Sequence, residues 1–271
     1  MKSNSPLTHH ASALTLELLE EAFYREGFAK FPATDFQALG LTPEQIADLQ
    51  QIGKTEEQHV VLLQGALAQA GAKPVQACQY NFGFTDAAGM LGTAAVLENV
   101  GVSAYLGAAK FIADPKILTT AGSILTIESR HQTLARTIAK IVAVPQAFDT
   151  PLSPQQVFSL AAPFITSCPE GSNLIITPFP TLAMAAGQDA QAVQAGATIQ
   201  FESEAVGQAQ FCAFTTGSAG TKFTAFQQGT GCVVPQGLAG IVYVNLASAG
   251  PLTGELTDDL ILAGPMVMQV S

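Results

Sequence analysis

Two segments of this chain place a histidine three residues after a glutamate, Glu56-Glu-Gln-His59 and Glu128-Ser-Arg-His131, and each lies within helical apolar spacing. Residues three apart are neighbours on a helix face, so each segment aims a carboxylate and an imidazole at one point. A lone Glu-x-x-His is weak, being more often surface or capping chemistry than metal binding. Two are harder to dismiss, because the chain has only four histidines and glutamate fills 13 of its 271 positions. At that frequency, about 5%, both pairings arising by coincidence has a probability of roughly one in four hundred. The other two histidines, His9 and His10, fall in a stretch expected to be a tail with a surface role.

Glutamates also recur with tyrosine. Glu17 precedes Tyr24 by seven residues and Glu98 precedes Tyr105 by seven, so both members of each pair share a helix face. Of the four tyrosines, only these two have a glutamate at that spacing. In chain order the pattern is Glu, Glu-x-x-His, Glu, Glu-x-x-His, a helical pair repeated twice and hence a cryptic internal duplication. Glu20, Glu21 and Glu57 are neighbours that compete for the same roles, and helix one is the least constrained. Arg130, inside the second motif, reads as a surface or neighbouring cation.

The apolar pattern predicts a first helix from about Ala13 to Lys30 and, after a loop, a second from Pro43 to about Gly71. Thr42 is its expected N-cap with Gln45 completing a capping box, and Gly71 its C-terminal cap. Val75 to Thr85 has no helical period and reads as a crossover. Asp86 is expected to cap a third helix reaching about Ala113, and Asp114-Pro115 to start a fourth that runs to about Val144.

After Pro151 the texture changes. A short helix is expected near Gln155 to Ile165, followed by alternating segments at 197–202, 209–214, 221–226 and 240–246 that predict an antiparallel sheet or small sandwich. The expected fold class is α+β: a four-helix bundle over 13–150, a junction over 151–170 and a β-rich domain over 171–271.

With 48% hydrophobic and 12% charged residues the chain can bury a sizeable core, and its net charge of −10 disfavours nucleic acid and anionic membrane surfaces as partners. The longest apolar stretch, Ala87 to Ala109, is interrupted by Glu98 and Asn99, so no transmembrane helix is expected. Met1 to Ala11 lacks the build of a signal peptide, which leaves a cytosolic protein or a processed form. Cys78, Cys168, Cys212 and Cys232 show no CxxC pair and no histidine nearby, and favour the second option. Of three connectivities, Cys78–Cys168 with Cys212–Cys232 is preferred, in an extracellular, secreted protein. Four buried thiols in a cytoplasmic protein are the alternative.

A Glu from each of two helices plus a Glu-x-x-His from each of two others resembles the ligand pattern of ferritin-like dimetal carboxylate proteins. Rubrerythrins and bacterioferritins share it, including a tyrosine seven residues after the first glutamate. With Leu16-Glu-Leu-Leu-Glu-Glu-Ala-Phe-Tyr24 opening helix one, the chain most resembles secreted fungal ferritin-like-domain proteins related to desiccation- and starvation-response proteins. The resemblance covers about residues 13 to 145 and implies two transition-metal ions, Fe or Mn, with Zn able to enter. Glu17 and Glu98 would then be terminal or bridging ligands, Glu56 and Glu128 bridging ligands, and His59 and His131 one nitrogen ligand per metal. Tyr24 and Tyr105 would shield or tune the site, although buried tyrosines more often simply pack and hydrogen-bond. The implied function is a dimetal oxidoreductase acting on O2 or peroxide in stress. The alternatives are a metal- or iron-sequestering protein without turnover and a structural surface protein with a vestigial site. A homodimer is left open as the assembly.

Overall fold

The computed structural model describes residues 6–270 apart from 173, 175, 191, 218, 219 and 252, with side chains described from residue 12 onward. The chain forms two compact units. One comprises the chain up to Ala143 together with Ala161–Ile176, and the other Val144–Leu160 together with the chain from Thr177 on. The stretch read from sequence as a junction is thus divided between them.

The first unit is helical. Its long elements are α1 (Pro6–Lys30), α3 (Pro43–Gln69), α4 (Ala87–Ala108) and α5 (Pro115–Ile138), with a short α2 (Ala33–Ala38) between the first two. Helix α1 packs on α3 and α4 on α5, while α1 also meets α4 and α3 meets α5, which closes a four-helix bundle. The caps follow the sequence. Thr42 Oγ1 accepts from the Gln45 N–H while Gln45 Oε1 accepts from the Thr42 N–H; Asp86 accepts from the Gly89 N–H at 2.7 Å and Asp114 from the Lys116 N–H at 2.7 Å. Gly71, at φ 75°, closes α3 with the paired backbone bonds of a left-handed cap.

Three boundaries differ from the sequence reading. Helix α1 begins at Pro6, so His9 and His10 fall on its opening turns and not in a tail, with their side chains outside the described residues. Helix α2 occupies the expected loop because Phe36 finds a fully buried seat there. Helix α5 stops at Ile138, short of Val144, because Lys140 takes φ 60° and performs the capping role usually given to glycine. A short ribbon of β1 (Gln79–Tyr80) with β2 (Ile165–Ser167) closes the unit, and the Cys78–Cys168 disulfide lies beside it. Both cysteines belong to the helical unit, so this bond does not span the boundary.

The second unit holds α6 (Pro154–Ala161) up to Leu160, and Pro163 keeps that helix shorter than expected. Its strands are β3 (Ala183–Met184), β4 (Thr198–Ile199), β5 (Phe201–Glu202), β6 (Phe211–Thr216), β7 (Gly220–Ala225), β8 (Cys232–Val233), β9 (Gly240–Ala247) and β10 (Ile261–Val270). An antiparallel sheet runs β10-β9-β6-β7, flanked by the ribbons β3-β5 and β4-β8. All of β9 is buried, as befits its place inside the sheet. Strand β10 is the longest yet escapes a sequence reading, because Gly264-Pro265 interrupts it; it lies at the sheet edge, where its register shifts absorb the proline. Cys212 and Cys232 are joined within this core.

Candidate metal centre

Each long helix of the bundle delivers its share of one buried cluster. Glu17 comes from α1, Glu56 and His59 from α3, Glu98 from α4, and Glu128 and His131 from α5. All four carboxylates are 0% exposed and both imidazoles 7%. The ring centroids of His59 and His131 lie 6.2 Å apart. The donor atoms fall into two groups, Glu17, Glu56, His59 and Glu128 in one and Glu56, Glu98, Glu128 and His131 in the other, with the atoms of each group within 4.8 Å of one another. Glu56 and Glu128 belong to both.

Hydrogen bonding alone does not account for this arrangement. His59 Nδ1 lies 3.2 Å from Glu17 Oε2, 2.9 Å from Glu56 Oε2 and 3.3 Å from Glu128 Oε1, yet a ring nitrogen has at most one proton to give. His131 Nδ1 comes within 2.7 Å of Glu56 Oε1 but out of line for a hydrogen bond, so both atoms lack a partner. Glu98 Oε2 and both oxygens of Glu128 are likewise buried without partners. Orphaned lone pairs converging in a dry interior are costly unless a cation or protons occupy the space between them.

The tyrosines cross the bundle. Tyr24 on α1 donates its hydroxyl to Glu98 Oε1 on α4, and Tyr105 on α4 donates to Glu17 Oε1 on α1. Burial, reinforced by the facing carboxylate charge, raises both phenols well above their ordinary range, so each keeps its proton and remains a donor. One oxygen of Glu17 and one of Glu98 are therefore committed to tyrosine, whereas neither oxygen of Glu56 or Glu128 is.

Protons take up part of the charge when no cation does. Burial raises Glu17 to about 7, and it also lifts Glu98 and, much further, Glu128. Burial acts on Glu56 in the same direction, but the adjacent His131 and His59 outweigh it and bring that carboxyl down to about 2. Conversely, the facing carboxylates overcome burial and raise His59 to about 12 and His131 to about 10. A cation entering here replaces protons.

Two further residues shape the cluster, and sequence spacing missed the first of them. Gly101, one turn after Glu98, has no Cβ; one placed there would stand 2.4 Å from Glu128 Oε2 and 3.1 Å from Glu20 Oε1. Glycine inside a helix is unfavourable by about 1 kcal/mol, which was the available signal that something must approach closely. Glu20, one of the competing neighbours, is 4% exposed and brings a further carboxylate toward Glu128. Burial, then the Glu128 charge, raises it well above the ordinary range. By contrast Glu57 is exposed, Glu21 pairs with Arg25 at 2.9 Å, and Arg130 bonds the Thr126 carbonyl at the surface. Buried Asn99 and Gln132 bond each other between α4 and α5.

Among known proteins, residues 9–140 match the model of the ferritin-like domain. Protein rds1 of Schizosaccharomyces pombe is 26% identical over 171 residues, which covers 63% of this chain and 42% of that protein. The chain thus spans less than half the length of this fungal relative. Four helices, a buried acidic and histidine cluster compatible with a dimetal site, and these two likenesses agree, and through its helical unit the chain belongs to the ferritin-like superfamily.

Proposed function

We propose that Glu17, Glu56, His59, Glu98, Glu128 and His131 hold two transition-metal ions, iron or manganese, and that the protein is an oxidoreductase acting on O2 or peroxide in stress. The observation that supports this most is the sharing of Glu56 and Glu128 between two groups that each own one histidine and one further glutamate. Mixed oxygen and nitrogen donors suit iron and manganese, and zinc also enters such sets. When bound, two adjacent redox metals supply two electrons to one oxygen-containing substrate.

The chain's own residues have definite tasks in this reading. Tyr105 and Tyr24 orient Glu17 and Glu98 by holding one oxygen of each. Glu56 presents one oxygen to each histidine and Glu128 one to His59, while Gly101 leaves the second Glu128 oxygen its room. Burial keeps water out, so these charges act at low dielectric. Two disulfides fit an oxidising compartment, and we place the protein outside the cytosol. The same site without turnover would be a metal-binding or sequestering protein.

Metal analysis of protein purified without chelator tests the reading, followed by absorbance and oxygen readings on adding peroxide. Two bound iron or manganese ions per chain and peroxide consumption are expected. Bound metal without consumption would leave only sequestration, and no bound metal would end the proposal.

A further inference from the structure

One row of aromatic rings leads away from the cluster, and beyond Tyr24 its rings touch none of the six clustered residues. Tyr24, which donates to Glu98, packs edge-on against Phe23 with centroids 5.2 Å apart, and Phe23 packs edge-on against Phe82 at 5.3 Å. Phe82 in turn stacks on Tyr80 at 5.5 Å with planes 22° apart. Phe82 also stacks on Phe84, with centroids 5.3 Å apart and planes at 28°, so the segment Tyr80-Asn-Phe82-Gly-Phe84 gathers three rings at one place. Tyr80 is half-buried between exposed Gln79 and Asn81, and its hydroxyl accepts from the Cys78 N–H at 3.2 Å, beside the Cys78–Cys168 disulfide.

The row is specific to one side of the cluster. Tyr24 also stacks on Phe28, but that branch continues to Phe36, a buried ring. Among the described residues no ring contact is formed by Tyr105. The chain contains no tryptophan, so tyrosine is its most readily oxidised aromatic side chain. Phenylalanine is too hard to oxidise to hold a charge itself, but its packed π-system shortens the gap across which an electron must pass.

We infer that Tyr24, Phe23, Phe82 and Tyr80 form an electron path from the carboxylate cluster to the surface, with Tyr80 the outlet that an external one-electron reductant of thiol or enediol class restores. The path rests on the dimetal oxidoreductase reading, with peroxide as oxidant. One oxidising equivalent at the cluster removes an electron from Tyr24, whose phenolic proton passes to Glu98 Oε1. An electron from Tyr80 then crosses Phe82 and Phe23, Tyr24 recovers its proton from Glu98, and Tyr80 releases its own to solvent. The external reductant returns one electron and one proton to Tyr80. The net change is one electron delivered inward and one reductant molecule oxidised by one electron, with no bond in the protein broken.

Spin-trap mapping tests this. Protein loaded anaerobically with ferrous iron is mixed with stoichiometric hydrogen peroxide and a nitroso trap, and adducts are located by peptide mass spectrometry. The adduct is expected on Tyr80. It should be lost in Tyr24→Phe although Tyr80 is untouched, fall several-fold in Phe82→Leu, and return in Tyr80→Trp at the new ring. Tyr80→Phe should shift the adduct back to the Tyr24 peptide while the iron oxidises at an unchanged rate. An equal adduct on Tyr80 in Tyr24→Phe would mean attack from solution and overturn the path. Iron oxidation with Tyr80 unlabelled would also overturn it while leaving the metal centre standing. Failure to bind or oxidise iron would overturn the centre itself, and the path with it.

Discussion

The two units bury opposite kinds of interior. At the middle of the helical unit stand four fully buried carboxylates and two histidines, whereas the β unit closes over Phe214, Val242, Val244, Leu246, Ala263 and Met268, all 0% exposed. The β core holds the Cys212–Cys232 bond, and Asn245 is a buried polar residue on its central strand whose amide lacks hydrogen-bond partners. An apolar core is stable on its own account, since burial itself is favourable. A core of carboxylates is tolerable only with cations or protons among them, so its stability is tied to what the solution contains.

The largest expected effect that sharpens this contrast is Glu128→Ala combined with His131→Ala, which should abolish metal uptake and leave the β unit's thermal transition in place. Unchanged metal stoichiometry would remove these residues from the site. Leu246→Ala is the converse, expected to cost the β unit about 2–5 kcal/mol in denaturant unfolding without changing bound metal. A loss of metal there would break the contrast by showing that the two cores depend on each other. Cys212→Ser with Cys232→Ser opens a loop of separation 20 and should cost about 3 kcal/mol, confined to the β unit. Gly101→Ala should weaken metal affinity about 10- to 100-fold by displacing Glu128, measured by competition with a chelator. An affinity equal to that of the parent chain would show that Glu128 need not occupy its observed position.

The gentlest test is pH. Glu17 is raised from 4.5 to about 7, so its contribution to folding is complete below its unfolded value and fades as pH rises through 7. His59 and His131, raised from 6.5 to about 12 and about 10, have the same sign at higher pH. Glu56, lowered from 4.5 to about 2, has the opposite sign but acts only below 4.5. The metal-free helical unit should therefore lose thermal stability from about pH 5 to about pH 8, while the metal-loaded form gains because binding releases protons. Parallel slopes in the two forms would contradict the exchange of protons for metal.

The helical unit was readable because its signals are periodic. Glu-x-x-His at 56–59 and 128–131 and Glu with Tyr at 17–24 and 98–105 depend only on residues sharing a helix face, and caps at Thr42, Asp86 and Asp114 are local bonds. What escaped was set across space. Which tyrosine meets which glutamate is decided by α1 facing α4, and nothing within either helix announces it. Lys140 ends a helix in a conformation usually left to glycine, and β10 hides behind Gly264-Pro265. In both cases the surrounding structure overrode the local preference.

At position 101 the cluster meets a different kind of tolerance. A lost ligand can in principle be replaced by another oxygen or nitrogen donor, but the recess over the Gly101 Cα is defined by the want of a single methyl group. Every mutation of that codon that changes the amino acid fills it. Selection acting on the cluster should therefore hold this chemically silent residue as firmly as any side chain that touches a cation, and drift there would close the site before altering a single donor.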